Sequence, residues 1–229
     1  MKFGIVVFPG SNCDQDVAHV VGTVFGQPWQ YIWHQSQSII DVDCVILPGG
    51  FSFGDHLRAG AIARFSPVLE AVRAHSARGG LVLGICNGFQ ILVEAGMLQG
   101  ALLRNDGLEF RCQWSDLTVI RTDTPFTSDY KPGEVIRMPI AHGEGRFHID
   151  PASLPTLDGV VLRYRDNPNG SMGDIAGIVN QRGNVFGLMP HPERCAEPEL
   201  GGIDGRRLFT SMIGSIATTG STPLPMAIQ

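Results

Sequence analysis

One cysteine stands between two glycines, in the segment GICNG from Gly84 to Gly88, where an apolar run meets a helical pattern. This G-x-C-x-G arrangement is typical of a nucleophile elbow, a tight strand-to-helix turn that exposes the central side chain. The positive end of the helix dipole at such a turn stabilises a thiolate. We therefore predict that Cys86 is a nucleophile. The alternative is a small buried hydrophobe, which is the usual role of a free cysteine.

A histidine and a glutamate lie two positions apart in the segment GLMPHPE, which follows a predicted strand. Prolines on both sides keep the backbone extended, so the side chains of His191 and Glu193 should lie on the same side. Glu193 can then bind one imidazole nitrogen while the other faces a thiol, as an activated nucleophile requires. We predict a catalytic triad of Cys86, His191 and Glu193. The alternative is a surface histidine beside a solvated carboxylate.

A Gly-rich turn, Pro48-Gly49-Gly50, ends another predicted strand. Attack by Cys86 on an amide creates an oxyanion, which needs two N–H donors. One donor is the residue after the nucleophile, Asn87, and the second comes from a neighbouring strand's loop. Gly50 is the candidate for the second donor, and the alternative is an ordinary turn.

The sequence contains no recognised motif for a metal site or for a phosphate-binding loop. The pattern H-x-E occurs twice, at His142 and His191, but the P-C-x-x-C half of a zinc deaminase site is missing. Pairs such as His142 with His148, or His191 with Cys195, do not form a ligand cluster of recognised spacing, so we predict no metal site. No glycine loop is followed by lysine, so any ATP in the reaction should bind to another chain.

Composition indicates a globular cytoplasmic protein. The 229 residues are 43% hydrophobic, and 17 basic and 22 acidic residues give a net charge of −5 without blocks of either sign. We therefore expect neither nucleic acid nor membrane as a partner. Five scattered cysteines with no C-x-x-C pair fit a reducing compartment. We expect one domain over residues 1–220 and a flexible tail over 221–229.

The elements that must position these residues follow from hydrophobic periodicity. Alternating apolar runs and helical patterns predict an α/β fold, a doubly wound and mostly parallel sheet with helices on both faces. Shorter runs after residue 100 predict antiparallel additions, including a hairpin that turns at Gln181–Asn184 and delivers His191 to a strand end. The predicted strands cover 2–8, 29–33, 43–50 and 81–86, and the predicted helices cover 14–25, 54–80 with a break near Pro67, 87–96 and 204–217.

Several long motifs resemble one family. The segments LPGGFSFGDHLRAGAIA, GICNGFQIL, LLRND, PIAHGEGRF and GLMPHPER are similar to those of the PurQ-type glutaminase subunits of phosphoribosylformylglycinamidine synthase, which are class I glutamine amidotransferases. The resemblance runs from about residue 3 to residue 215. It implies a flavodoxin-like fold and hydrolysis of L-glutamine to glutamate and ammonia. It also implies two partners, a large synthetase subunit that carries ATP and magnesium and makes formylglycinamidine ribonucleotide in purine biosynthesis, and a small bridging subunit.

The resemblance carries the family's roles onto matching positions. It implies that Cys86 is the nucleophile, His191 the base and Glu193 its orienter, with Gly50 and Asn87 at the oxyanion. Gln90 matches the glutamine-contacting position of C-x-G-x-Q. Independently of the family, a residue four positions after Cys86 shares its helical face, although Gln90 could also be an ordinary surface glutamine.

Two other interpretations of the sequence remain open. The first is a glutaminase of another pathway, or a cysteine peptidase that acts on γ-glutamyl bonds. The second is a non-catalytic binding or redox protein on the same fold, because a fold does not determine function.

Overall fold

The computed structural model describes residues 1–219, with side chains described through residue 215. The predicted tail, 221–229, lies outside the described residues. The strands are β1 Phe3–Val7, β2 Trp29–Trp33, β3 Cys44–Leu47, β4 Leu81–Ile85, β5 Ala101–Leu103, β6 Arg111–Val119, β7 Val135–His142, β8 Arg146–His148, β9 Val160–Tyr164, β10 Ile175–Val179 and β11 Val185–Leu188. The α-helices are α1 Asp14–His19, which continues as a π-helical turn over Val20–Val24, α2 Val68–Ala77, α3 Asn87–Glu94 and α4 Arg206–Thr219. None of the described helices is long and apolar enough to cross a bilayer.

One mixed sheet organises the described chain. Its nine strands have the order β2-β1-β3-β4-β11-β10-β9-β6-β7, and β5 pairs with β8 in a separate ribbon. The first five strands in that order are parallel, and each later pairing is antiparallel. β3 and β4 are buried along their whole lengths, as expected of parallel strands covered on both faces. The predicted α/β class with antiparallel additions is confirmed.

Helices cover both faces of the parallel region. A side chain at Gly84 of β4 would strike Leu92 of α3, which identifies the face that α3 covers. Cys44 of β3 contacts Met212 of α4 through their sulfur atoms, 3.8 Å apart. Cys44 pairs with Leu81, so these two residues face the same side of the sheet. Gly84 is three residues after Leu81 on the same strand and therefore faces the opposite side, because successive residues alternate between the two faces. The doubly wound arrangement is therefore confirmed.

The predicted helix before Pro67 was wrong. Residues 52–66 contain only two short 3-10 turns, Ser52–Asp55 and Ala63–Phe65, and α2 begins directly after Pro67. Five residues in this segment have left-handed φ values between 50° and 80°: Phe53, Gly54, Asp55, Leu57 and Gly60. A right-handed helix cannot contain such residues. Leu57, which lies in the segment predicted as helix, is 91% exposed.

A long antiparallel hairpin extends beyond the rest of the sheet. β6 pairs with β7 from Arg111 through Thr118, but with β9 only from Leu117 through Val119. The remainder of the β6–β7 hairpin has no further partner strand among the described residues. It reaches the carboxyl ends of β4 and β11, where Ala141 and Pro139 make contacts that are described below.

Candidate active site

The predicted elbow is present between β4 and α3. Cys86 follows the last residue of β4 and precedes the first residue of α3, with φ 50° and ψ −105°. A non-glycine residue rarely adopts a positive φ, and such strain concentrates at functional sites. Gly88 permits the close approach of α3 to the sheet, because a Cβ there would collide with the Leu47 carbonyl oxygen. The Cys86 side chain is nearly buried and its sulfur lies 3.6 Å from the Ala141 carbonyl.

The parallel pairing of β4 with β11 brings His191 to the elbow. Ile85 pairs with Leu188, so both strands end at the same edge of the sheet. The Cys86 amide donates to the Leu188 carbonyl at 2.8 Å, and the His191 amide donates to the Pro139 carbonyl at 2.8 Å. The first bond joins the elbow to the end of β11, 102 residues later in the chain, and the second joins the His191 segment to β7.

His191 and Glu193 form a buried pair. His191 Nδ1 donates to Glu193 Oε1 at 2.6 Å, and the two residues are 2% and 1% exposed. The second nitrogen, Nε2, has no hydrogen-bond partner within the described part of the chain. Burial opposes protonation of the ring, but the Glu193 carboxylate and the thiols of Cys86 and Cys13 raise the pKa of His191 well above its usual value. The structure therefore brings the three predicted triad residues together.

Cys13 is a neighbour of the triad that the sequence analysis did not single out. Its sulfur accepts a hydrogen bond from Arg194 Nη2 at 3.1 Å and is buried. Burial raises the pKa of the Cys13 thiol, although the nearby His191 ring opposes that shift. Cys13, His191 and Glu193 each have one atom that could bind a metal ion, and these three atoms lie within 4.8 Å of one another. The sequence does contain a signal for this position. Cys13 follows soon after β1, and β1 ends at the same edge of the sheet as β4.

The predicted oxyanion donors flank the elbow. Gly50 has a φ of 150°, and a Cβ there would lie 2.8 Å from the Gly10 carbonyl oxygen, so only glycine fits. Gly50 lines the same cavity as Cys86. Asn87 is the first residue of α3, where a backbone N–H has no acceptor inside the helix. Gly50 and Asn87 thus lie on separate elements, one in the cavity lining with Cys86 and the other next to Cys86 in the chain.

A cavity of about 190 Å³ opens beside Cys86. Gln90 lies in its wall and is 5% exposed, so it is not a surface glutamine. The Gln90 amide accepts from Asn87 Nδ2 at 2.9 Å and donates to the Glu144 carbonyl at 2.5 Å. The remaining lining residues are Gly50, Phe51, Asp55, Phe110, Ala141, His142, Gly143 and Glu144.

Two carboxylates belong to this cavity, and the sequence analysis did not single them out. Asp55 accepts from Asn87 Nδ2 at 3.2 Å, and Glu144 accepts from the Ala59 amide at 3.1 Å. Burial, then the negative charge of Glu144, raises the pKa of Asp55 to about 6. Asp55 is in the segment that was predicted as helix, which is why its place in the cavity was missed.

A buried polar network fixes the loop that carries Glu144. Asn105 Nδ2 donates to the His142 carbonyl at 2.9 Å, and Asn105 Oδ1 accepts from His142 Nδ1 and from the Gly145 amide, each at 3.1 Å. Asn169 donates to the Gly145 carbonyl at 2.9 Å from the other side. Burial, then the charge of His191, lowers the pKa of His142 to about 4. The His142 ring is therefore neutral at neutral pH, and Asn105 holds its orientation.

Comparison with known proteins agrees with this geometry. A family model described as a CobB/CobQ-like glutamine amidotransferase domain matches residues 1–201. The chain belongs to this glutamine amidotransferase family. The amidotransferase chain is 57% identical to the "Phosphoribosylformylglycinamidine synthase subunit PurQ" of Moorella thermoacetica, over 93% of this chain and 95% of the relative. It is also 57% identical to the protein of that name from a Nostoc species, over 94% of this chain and 98% of the relative.

Solved structures extend the comparison. The amidotransferase chain superposes on a chain of the structure described as "Structure of PurLQS from Thermotoga maritima" with a TM-score of 0.88 and 47% identity, covering 94% of this chain and 98% of that one. The glutaminase domain of CTPS from Trypanosoma brucei gives a TM-score of 0.60 at 11% identity, covering 95% of this chain and 94% of that one. The second likeness concerns the fold alone.

Proposed function

We propose that this amidotransferase chain is the glutaminase subunit of a phosphoribosylformylglycinamidine synthase and supplies ammonia to its partner synthetase. The observation that carries the proposal is the position of Cys86, on a strained elbow beside the buried pair of His191 and Glu193. The curated relatives named above, which match almost end to end, support the choice of synthase.

In the proposed mechanism, the Cys86 thiolate attacks the side-chain amide carbon of L-glutamine and forms a C–S bond. The amides of Gly50 and Asn87 stabilise the resulting oxyanion. Protonated His191 gives its proton to the departing nitrogen as the C–N bond breaks, releasing ammonia and leaving a γ-glutamyl thioester. Water then loses a proton to His191 and attacks the thioester, the C–S bond breaks, and glutamate leaves. Glu193 orients the ring throughout.

Gln90 has a supporting role in this proposal. Its amide is already bonded to Asn87 and Glu144, so its orientation is fixed before substrate binds. A carbonyl oxygen has two lone pairs and an amide nitrogen two protons. Gln90 therefore retains one acceptor and one donor position with which to contact the glutamine backbone.

The proposal includes two partner subunits, a large synthetase that binds ATP and magnesium and a small bridging subunit. The name PurLQS of the Thermotoga maritima structure favours an assembly of this kind. We propose no cofactor for this chain. We further propose a cytoplasmic location, which the free state of the described cysteines favours.

Reconstitution with the synthetase subunits tests the function. The wild-type complex should make the amidine product from either glutamine or ammonium. Cys86→Ala should abolish the glutamine-dependent reaction and leave the ammonium-dependent reaction intact. Cys112→Ala is the matched control, because Cys112 is exposed and should affect neither reaction. Loss of both reactions in Cys86→Ala would assign Cys86 a structural role and contradict the proposal.

A further inference from the structure

The cavity beside Cys86 has an acidic wall made by two carboxylates. Asp55 and Glu144 both line it, and none of the described lining residues is lysine or arginine. The guanidinium nearest to the Glu144 carboxylate belongs to Arg104, at 3.6 Å, but that side chain is 77% exposed. Burial, and then the negative charge of Glu144, raises the pKa of Asp55, so the two carboxylates repel one another when both are ionised. A cation bound in the cavity would relieve this repulsion.

Reactive groups in the same place show what kind of molecule must enter. The sulfur of Cys86 borders the cavity, and the unpartnered Nε2 of His191 belongs to a ring that is only 2% exposed. These groups act on the amide of a bound molecule. The ligand must therefore combine an amide that reaches Cys86 with a positive charge that meets the acidic wall. A free amino acid with a side-chain amide has both features.

The carboxylates are held ready for such a ligand. A carboxylate has about four acceptor positions. Glu144 uses one for the Ala59 amide and Asp55 uses one for Asn87, so both can accept further donors. Asn87 also donates to Gln90, which in turn donates to the backbone carbonyl of Glu144. This chain of hydrogen bonds connects the Asp55 carboxylate and the backbone of Glu144 to the first turn of α3, next to the nucleophile.

We propose that Glu144 and Asp55 bind the α-ammonium group of the substrate and select free L-glutamine over amides that lack this cation. The inference rests on the proposed glutaminase function and extends it. An ammonium group has three donors, which match the free acceptor positions of the two carboxylates. The two carboxylates thus discriminate against amides that lack the ammonium group, because such an amide leaves the repulsion between the carboxylates unrelieved.

The test compares two substrates in the reconstituted complex. The substrates are L-glutamine and 4-carbamoylbutanoate, which is glutamine without its α-amino group. Glu144→Gln should lower kcat/KM for L-glutamine by about 10- to 100-fold, mostly through KM, because one charge-assisted hydrogen bond is lost. It should leave kcat/KM for 4-carbamoylbutanoate unchanged. Asp55→Asn should behave in the same way.

Glu70→Gln serves as the matched control, because the Glu70 side chain is 87% exposed on α2, and it should change neither rate. Alkylation of Cys86 by iodoacetamide, a small reagent without an ammonium group, should proceed at the wild-type rate in Glu144→Gln, which shows that the elbow is intact. Protection of Cys86 by glutamine should need a higher glutamine concentration in that variant.

The outcomes separate the ammonium site from the glutaminase function. Equal losses of kcat/KM for both substrates in Glu144→Gln would overturn the ammonium site alone, as would a wild-type complex that hydrolyses both substrates equally well. Absence of any glutamine hydrolysis by the wild-type complex would overturn the proposed function and this inference with it.

Discussion

His191 Nδ1 lies 2.6 Å from Glu193 Oε1, and both side chains are buried at the edge of the sheet where Cys86 is presented. The carboxylate fixes Nδ1 as the donor and leaves Nε2 for the thiol and the substrate. It also compensates the positive charge that the ring carries during amide cleavage. The pair therefore sets both the direction and the protonation of the base.

Replacing the carboxylate should test this relationship. Glu193→Gln keeps the size of the side chain but removes the charge, so we expect kcat/KM for glutamine to fall by about 10²- to 10⁴-fold. Ammonium-dependent synthesis by the complex is the internal control and should not change. Undiminished glutamine hydrolysis would contradict the role of Glu193 as orienter.

The same substitution should change how stability depends on pH. Because the pKa of His191 is raised in the folded protein, its protonated ring stabilises the fold fully below about pH 6.5, the usual value for an unfolded histidine. This stabilisation is lost as the pH rises through the folded-state pKa. Urea unfolding should therefore show a larger destabilisation by Glu193→Gln near pH 6 than near pH 10. If Glu193→Gln destabilised the protein equally at both pH values, the raised pKa of His191 would be contradicted.

Asp55 should also make stability fall as the pH rises, but over a lower pH range, because its carboxyl has a pKa raised to about 6. A raised carboxyl pKa means that the folded state resists ionisation, so a cost to stability develops as the pH rises from about 4 to about 6. Asp55→Asn removes that cost. We expect the variant to be more stable than the wild type near pH 7.5 and not near pH 4. The residues whose charges face Asp55 include Glu144 and His56, and Asn87 is its hydrogen-bond partner. A stability gain at both pH values would contradict this assignment.

The polar network behind the cavity supports the loop that carries Glu144. Asn105→Ala leaves two buried donors without an acceptor, His142 Nδ1 and the Gly145 amide. We expect a loss of stability on the order of 2–4 kcal/mol and a higher KM for glutamine. Asn180→Ala is the matched control, because Asn180 Oδ1 accepts from the Asn184 and Val185 amides in the β10–β11 turn. That variant should lose stability in thermal unfolding without a change in KM.

Two glycines in helices should respond oppositely to alanine. Gly88→Ala places a methyl group against the Leu47 carbonyl oxygen, and overpacking of this kind costs about 1–3 kcal/mol or more. Gly214 in α4 has no atom within 4 Å of an added Cβ, so Gly214→Ala should raise stability by about 0.5–1 kcal/mol. Chemical unfolding measures both, and equal effects would contradict the close approach of α3 to β3.

Much of the fold and the site could be predicted because the signals are local. β2 has the predicted bounds, 29–33, and the elbow cysteine lies between its predicted strand and helix. The hairpin of β10 and β11 turns where its Gln-Arg-Gly-Asn segment indicated. The family resemblance indicated Gln90, and its place in the cavity wall agrees with the return of a helix to the same face after four residues.

The sequence by itself determined the elbow, the order of the elements and the candidate residues Cys86, His191 and Glu193, because glycine spacing and hydrophobic periodicity act over a few residues. Only the tertiary structure decided what surrounds them: Cys13 beside the histidine, and Asp55 and Glu144 in one cavity wall. The left-handed segment after Gly50 breaks the periodicity on which helix prediction depends, and the β6–β7 hairpin reaches the site through pairings between distant strands. Contacts of this kind depend on how elements pack, which no local pattern of residues encodes.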